Sequence, residues 1–137
     1  MARVEALWQA VGARVEHMDA AAHDAAFAAV SHLPQLLAYA YMRQITLAAE
    51  SEEWLRLAGS GFRDFSRLAA SEPAMWTDIA LANRGNLLAL LDGQQRQLAR
   101  LRECLAQEDG AGLREIFAEA SAARQAWEKE RGVGNFR

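Results

Sequence analysis

The segment from Ala74 to Glu108 contains no proline and no cluster of turn-forming residues, and this constrains the fold more than any other feature. A heptad-like stripe runs through it at alternating spacings of four and three residues. The stripe consists of Leu87, Leu91, Gln94, Leu98, Leu101 and Leu105. The pattern predicts one long helix, whose rise of about 1.5 Å per residue would carry it roughly 50 Å.

A helix of that length does not fit inside a compact domain of 137 residues, for which the radius of gyration is only about 14 Å. It must therefore project from the domain or lie against a partner, unless Gly85 or Gly93 interrupts it. A second copy of the chain is the simplest partner. The sequence thus predicts a homodimer.

The rest of the chain is also predicted to be helical, because it has two prolines, no strictly alternating segment and many strong helix formers. The other predicted helices cover residues 3–17, 20–48, 50–57 and 62–70, followed by a last helix after the Asp109-Gly110 turn. Asp19 is the predicted N-cap of the second helix. Pro34 should kink that helix, because proline lacks a backbone N–H. Residues 132–137 are expected to fray. The predicted fold class is all-α.

Composition excludes several classes of function. A net charge of −3 offers no electrostatic footprint for nucleic acid. No apolar run reaches membrane-spanning length, and the first residues do not form a signal peptide. The single cysteine, Cys104, excludes an internal disulfide and fits a reducing cytoplasm, which is the predicted location.

Sites for metals and dinucleotides are not predicted either. His23 and Asp19 form the best-spaced pair of metal-binding residue types, and two ligands do not make a zinc site. No G-x-G-x-x-G follows a strand, and no P-loop is present. We therefore expect this chain to bind no cofactor and no metal by itself.

Two segments place polar side chains on otherwise apolar helices. In the first, His32, Gln35 and Tyr39 share one helix face by their spacing, and Ser31 lies beside them next to Pro34. Two interpretations stand at this point. Ser31 or His32 could satisfy the backbone carbonyl that the proline frees, or these side chains could face a ligand.

The second segment follows the Gly59-Ser60-Gly61 turn and carries Asp64 and Arg67 three residues apart. They could form a surface ion pair, which would stabilise the fold by well under about 1 kcal/mol. Alternatively, Arg67 could clamp a ligand carboxylate with two hydrogen bonds while Asp64 orients its guanidinium. Trp76 would then form a wall of the pocket.

Both segments resemble a known family. HDAAFAAVSHLP at 23–34 and GFRDFSRLAASEPAMWTDIALAN at 61–83 are similar to the C-terminal domain of prephenate and cyclohexadienyl (arogenate) dehydrogenases. The likeness runs from about residue 6 through residue 83 and continues more weakly to residue 127. We therefore assign residues 1–131 to this domain. The likeness implies a helical dimer-forming domain of the kind found at the C-terminus of 6-phosphogluconate dehydrogenase.

The resemblance also implies an activity. Members of the family oxidise and decarboxylate prephenate with NAD or NADP on the route to tyrosine, and some oxidise arogenate. A Rossmann domain, which we expect to be absent from this chain, would bind the nucleotide and supply the catalytic histidine. No catalytic residue is therefore expected here, and the chain alone should be inactive.

The implied role of this domain is to form the dimer and complete the substrate pocket. Arg67 would bind a prephenate carboxylate, and Asp64 and Trp76 would line or order the site. His32 and its neighbour Ser31 would lie near the pocket.

Two positions depart from the family pattern. Gln35 replaces the second histidine of S-H-L-P-H, which contacts substrate or inhibitory tyrosine in the family. Glutamine can donate and accept hydrogen bonds but carries no positive charge, so recognition of an anion or feedback by tyrosine should differ. Ser60 interrupts a turn that commonly has three glycines, and its side chain could restrict the approach of a ligand.

A second hypothesis is that the chain has the fold of this family but takes no part in catalysis. The chain would then be a stand-alone helical module that binds tyrosine or a partner protein. Met1 lies just upstream of the family-like segment, which is compatible with a fragment or with a short complete reading frame.

Overall fold

The computed structural model describes the backbone of residues 2–133 and the side chains of residues 2–130, and the regular structure in that range is entirely helical. The helices are α1 (Ala2–Ala10), α2 (Ala20–Phe27), α3 (Leu33–Thr46), α4 (Ser51–Arg56), α5 (Ser60–Ser66), α6 (Pro73–Ala82), α7 (Arg84–Ala106) and α8 (Gly110–Val133). A π-helical turn, Ala28–His32, joins α2 to α3, and a 3₁₀ turn, Arg67–Ala70, follows α5. The all-α prediction is confirmed.

The chain divides into two compact units. One consists of Met18–Gln94 and contains all the candidate site residues. The other combines Met1–His17 with Gln95–Arg137. Of the predicted frayed tail, residues 132–133 are assigned to α8, and residues 134–137 lie outside the described residues. The fraying itself stays a prediction.

The irregular turn before α3 follows from Pro34. Asp19 caps α2 as predicted, because its side chain accepts a hydrogen bond of 2.8 Å from the N–H of Ala22. The helical path then widens, and the N–H of Leu33 bonds to the carbonyl of Ala28, five residues back. Proline has no N–H to donate to the preceding turn, so a π turn at this point replaces the bond pattern that it cannot complete. The predicted disturbance is confirmed, and its form is a π turn.

The first helix is shorter than predicted. It ends at Ala10 rather than near residue 17, and Gly12 follows with φ of +85°. The N–H of Gly12 bonds to the carbonyl of Gln9, and the N–H of Ala13 bonds to that of Trp8, both at 3.0 Å. These two bonds form a Schellman stop, which glycine permits because it has no Cβ to oppose a positive φ.

The prediction of one continuous helix over residues 74–108 is wrong. Helices α6 and α7 are separated at Asn83, whose φ of −105° and ψ of 27° leave the helical region. Neither Gly85 nor Gly93 makes the break. The side-chain amide of Asn83 bonds to the backbone carbonyl of Asp24, 59 residues away, so a tertiary contact accompanies the break. With 23 residues in α7, the long helix spans roughly 35 Å.

The second unit contains a tight connection between α7 and α8. Glu108 takes a positive φ of 54°, and the N–H of Asp109 bonds to the carbonyl of Cys104 at 2.8 Å. The Asp109 carboxylate then accepts from the N–H of Gly112 at 2.9 Å and caps α8. The turn predicted at Asp109-Gly110 is confirmed.

Little apolar surface is covered within the chain. The buried apolar residues among those described are Ala28, Ala38, Leu87 and Cys104. The predicted leucine stripe is covered unevenly, since Leu87 is 3% exposed and Leu105 is 65% exposed. On α8, Phe117 is 59% exposed and Trp127 is 48% exposed. The Arg124 guanidinium stacks 4.7 Å from the centre of the Trp127 ring.

Gly112 should not tolerate a side chain. A Cβ at this position would meet the carboxylate of Asp109 and lie 3.1 Å from Sγ of Cys104. Because the Asp109 carboxylate also caps α8, it cannot move away without breaking its hydrogen bond to the N–H of Gly112. We expect Gly112→Ala to lower the free energy of unfolding by about 1–3 kcal/mol in urea titrations. Gly110→Ala, whose Cβ would enter open space, is the control, and an equal loss in both variants would contradict this explanation.

The start of α6 should make stability depend on pH. Glu72 accepts a 2.7 Å hydrogen bond from the N–H of Met75. The backbone N–H groups of Met75 and Ala74 lower the pKa of Glu72 from its usual value of 4.5. A lowered folded-state pKa stabilises the fold above the unfolded-state value, and this contribution disappears as pH falls through the folded-state value.

Glu72→Gln should therefore lower the melting temperature near neutral pH and converge with the unmodified protein in acid. Circular dichroism melts between about pH 7 and pH 3 measure this. Asp78→Asn, a neutralisation in the body of the same helix, should show no such convergence. If the melting temperatures of Glu72→Gln and the unmodified protein differed by the same amount at every pH, the capping role would be contradicted.

Candidate functional site

The π turn ends at His32, one of the predicted site residues. Its Nδ1 lies 3.2 Å from Nδ2 of Asn83, at the break between α6 and α7. Its ring meets Trp76 of α6 nearly edge-on, with ring centres 6.0 Å apart and planes 76° apart. The hydrogen bond of His32 therefore runs to a distant side chain, and no described bond connects it or Ser31 to the carbonyl freed by Pro34.

Gln35 lies inside the unit rather than on its surface. It is only 2% exposed, and its Nε2 donates a short hydrogen bond of 2.6 Å to the carbonyl of Leu68. One turn further along α3, the hydroxyl of Tyr39 donates to the carbonyl of Ser71 at 2.9 Å. Two side chains of α3 thus hold the backbone of the 3₁₀ turn and the residue after it.

That 3₁₀ turn begins with Arg67. Its side chain is exposed, as are those of Asp64 and Ser60 on α5. Asp64 and Arg67 form no ion pair among the described residues, so the pairing considered from the sequence is not observed. The reason is energetic, because solvent screens two exposed charges and ordering both side chains costs entropy.

Arg67 borders a hollow of about 440 Å³. Its lining residues are Met42, Arg63, Ser66, Arg67, Ala69 and Ala70. The surface of this hollow is mainly apolar, and the two arginines at its border are its charged groups. Arginine can bind a carboxylate through two parallel hydrogen bonds.

A second hollow, of about 370 Å³, is mainly apolar and lies between α3 and α6. It is lined by Leu36, Tyr39, Pro73, Trp76, Thr77, Ala80 and Leu81. The aromatic walls and the helix faces suit a flat hydrocarbon ring.

Aromatic contacts place α5 against α3. The ring of Tyr41 lies 5.1 Å from that of Phe65 in a T-shaped pair and 5.9 Å from that of Phe62. Phe62 is half-buried. Phe65 is 51% exposed. Contact with one tyrosine covers only part of its ring.

The structure brings some predicted site residues together and leaves others apart. His32 and Trp76 are in ring contact, and Gln35 is tied to the turn that Arg67 begins. Ser31 is half-buried, without a described hydrogen bond. Asn83 is buried beside His32 and was not among the predicted site residues. The only sequence feature that indicated Asn83 was its position at the end of the family-like segment 61–83.

Other kinds of site are not found in the described part of the chain. Within it, no group of three or more His, Cys, Asp and Glu side chains is arranged to hold a metal ion. Among the described helices, none combines the length and apolarity needed to cross a bilayer.

The described fold and motifs match a known family. A family model described as "Prephenate dehydrogenase, dimerization domain" matches residues 19–119. The chain belongs to the prephenate dehydrogenase family. It is 36% identical over 128 residues to the cyclohexadienyl dehydrogenase of Zymomonas mobilis, covering 92% of this chain and 44% of that protein. It is 34% identical over 120 residues to the prephenate dehydrogenase of Bacillus subtilis, covering 86% of this chain and 32% of that protein.

Solved structures of the family agree with the fold. A. aeolicus prephenate dehydrogenase in complex with hydroxyphenyl propionate and NAD+ superposes with a TM-score of 0.82 at 34% identity, covering 91% of this chain and 44% of that one. Synechocystis arogenate dehydrogenase gives a TM-score of 0.82 at 25% identity, covering 92% and 46%. The chain thus spans less than half the length of these relatives, and the resemblance inferred from its motifs is confirmed.

Membership of the prephenate dehydrogenase family does not test the individual residues. The roles of Arg67, Asp64, Trp76, His32, Gln35, Ser31 and Ser60 in binding stay predictions. For Gln35 the geometry adds a structural role that the motif did not indicate, because its side-chain donor is engaged within the chain.

Gln35→Leu should therefore destabilise the unit. Leucine fills similar space but removes the bond from Gln35 to the Leu68 carbonyl, which keeps only its bond from the N–H of Ser71. Loss of one such hydrogen bond costs about 0.5–1.5 kcal/mol. Tyr39→Phe, which removes only the hydroxyl bond to Ser71, should cost about 0.5–1.5 kcal/mol. Urea titration followed by circular dichroism measures both. A Gln35→Leu variant as stable as the unmodified protein would show that the bond contributes nothing net.

Proposed function

We propose that this chain is the substrate-binding and dimerisation part of a prephenate or cyclohexadienyl dehydrogenase. In such an enzyme, prephenate is oxidised and decarboxylated to 4-hydroxyphenylpyruvate with NAD or NADP. The observation that carries the proposal is the match of residues 19–119 to the dimerisation domain of this family. The cytoplasmic location predicted from the sequence belongs to the same proposal.

The nucleotide would be bound by residues outside the described helices. A dinucleotide site of the Rossmann type requires a glycine-rich turn between a strand and a helix, and residues 2–133 are described without a strand. The residues of this chain therefore do not fit NAD or NADP, and we assign them no step that involves the nucleotide. Their proposed work is binding and orientation, which lower the barrier by positioning the substrate.

The two hollows support a ligand that combines a ring with a carboxylate. Trp76 and Tyr39 line the apolar hollow, and Arg67 lines the hollow that also contains Arg63. The guanidinium of Arg67 has no ion-pair partner among the described side chains, which leaves it available to an anion. Hydroxyphenyl propionate, named in the related A. aeolicus structure, has both groups and is a suitable probe.

Arg67→Ala should weaken binding of hydroxyphenyl propionate by at least about tenfold, because a charge-assisted bond contributes roughly 1.5–3 kcal/mol. Isothermal titration calorimetry measures the change. Arg56→Ala removes an equally charged, exposed side chain from α4 and should leave the affinity within about twofold. Equal affinities for Arg67→Ala and the unmodified protein would refute the assignment of Arg67.

Dimerisation is supported by the apolar surface that the chain leaves open. On α7, Leu98 and Leu105 are 54% and 65% exposed. On α1, Leu7 and Trp8 are 65% and 56% exposed. Surfaces of this kind usually mark an interface, because water disfavours contiguous apolar patches. We therefore propose a homodimer that covers them.

Light scattering should give twice the chain mass. Leu98→Glu combined with Leu105→Glu should shift the protein toward the monomer, because charges would enter an apolar interface. Arg96→Glu changes the net charge by the same amount from roughly the opposite side of α7, and it should remain dimeric. A monomer at every concentration would contradict the proposed dimer, and an unaffected leucine variant would exclude this face.

The alternative, a helical module without a catalytic partner, predicts a different result. Mixed with a nucleotide-binding domain of a relative, a chain that serves the enzyme should support reduction of NAD or NADP in the presence of prephenate, recorded at 340 nm. A chain that binds hydroxyphenyl propionate but never supports this reaction would favour the alternative.

A further inference from the structure

Asn83 engages both N–H groups and the oxygen of its side-chain amide in hydrogen bonds within the chain. It is 9% exposed and lies at the break between α6 and α7. Its Nδ2 is 2.7 Å from the backbone carbonyl oxygen of Asp24 and 3.2 Å from Nδ1 of His32. Its Oδ1 accepts from Nδ2 of Asn86 at 2.9 Å. An amide has two N–H donors, and both are engaged here.

The orientation of this amide follows from its partners. A backbone carbonyl oxygen can only accept, so the atom facing Asp24 must be the nitrogen. If the amide were turned over, its oxygen would face the carbonyl of Asp24 at 2.7 Å, and two acceptors at that distance repel. The group facing His32 is consequently a donor.

This orientation determines which nitrogen of His32 carries the proton. Nδ1 receives a hydrogen bond from Asn83, so in the neutral ring it holds a lone pair and Nε2 holds the hydrogen. Nε2 has no hydrogen-bond partner among the described residues, and no buried polar side-chain atom there lacks one. Nε2 therefore keeps some contact with solvent, and its N–H has no partner among the described residues.

The ring itself is also held in place. Trp76 meets it edge-on at 6.0 Å, and Asn83 holds Nδ1 from another helix terminus, 51 residues away in sequence. These two contacts, one from α6 and one from the residue that ends it, restrict rotation about the side-chain bonds of His32. The direction of its free N–H is thus set by tertiary structure before any ligand arrives.

We propose that Asn83 is a positioning residue that fixes His32 in the Nε2–H tautomer, so that the site offers a hydrogen-bond donor to a ligand oxygen. The ligand atom would be an acceptor, such as a carboxylate, carbonyl or hydroxyl oxygen. This role for His32 rests on the proposed function, whereas the tautomer depends only on contacts within the chain.

Long-range proton–nitrogen NMR of the histidine rings tests the tautomer directly. The chain has three histidines, and His32→Gln assigns the signals of interest. The unmodified protein should show the pattern of the Nε2–H form for His32 near neutral pH. Predominance of the Nδ1–H form would overturn the proposal.

Variants at Asn83 test the cause. Asn83→Asp replaces the donor with an acceptor and should move His32 toward the Nδ1–H form, and Asn83→Ala should produce a mixture of both forms. Asn86→Ala removes a hydrogen bond from the same amide without touching His32, and it should leave the Nε2–H form in place. If Asn83→Ala keeps the pattern of the unmodified protein, Asn83 does not set the tautomer.

Titration with hydroxyphenyl propionate tests the donor role. Binding should shift the Nε2 and Hε2 resonances of His32, and Asn83→Ala should weaken affinity by about fivefold or more while Asn86→Ala stays within about twofold. Binding that leaves Nε2 unmoved overturns the donor role but not the proposed function. Absence of binding by the folded, unmodified protein overturns the proposed function, and the donor role with it.

Discussion

The hydrogen bond from Gln35 to the carbonyl of Leu68 is the contact on which the arrangement around Arg67 depends. It is short, at 2.6 Å, and belongs to a side chain that is almost completely buried. The Leu68 carbonyl also accepts from the N–H of Ser71, so the bond from Gln35 is the one that connects this carbonyl to α3 and keeps the 3₁₀ turn and α3 in register. Tyr39, one turn further along α3, makes a similar hydrogen bond to the carbonyl of Ser71. The side chain of Arg67 is exposed, while the two hydrogen bonds from α3 hold the backbone of the turn that it begins.

His32 is held by a second constraint, which joins three segments of the unit. The amide of Asn83 connects the backbone at Asp24, the ring of His32 and the side chain of Asn86. Polar groups with several internal bonds define one arrangement rather than many, because each alternative leaves a buried donor or acceptor unpaired. The same residue ends α6 and orients a candidate binding group.

These polar ties contrast with a sparse apolar core. Four apolar residues are buried among those described, and Phe117, Trp8 and Leu105 are largely exposed. Burial of apolar surface is the main stabilising term in folding. The exposed apolar surface and the match to a family model described as a dimerization domain both support the proposal that a second copy of the chain covers this surface.

The amino-acid sequence by itself determined the helical class, the N-cap at Asp19, the turn at Asp109 and the family, because these depend on local propensity and on contiguous motifs. The disturbance at Pro34 was equally local. Tertiary structure decided the break at Asn83 and the burial of Gln35. Their partners, Asp24 and Leu68, lie 59 and 33 residues away, beyond the reach of any periodicity. Helical spacing places residues on a face, but only packing decides whether that face meets solvent, a ligand or another helix.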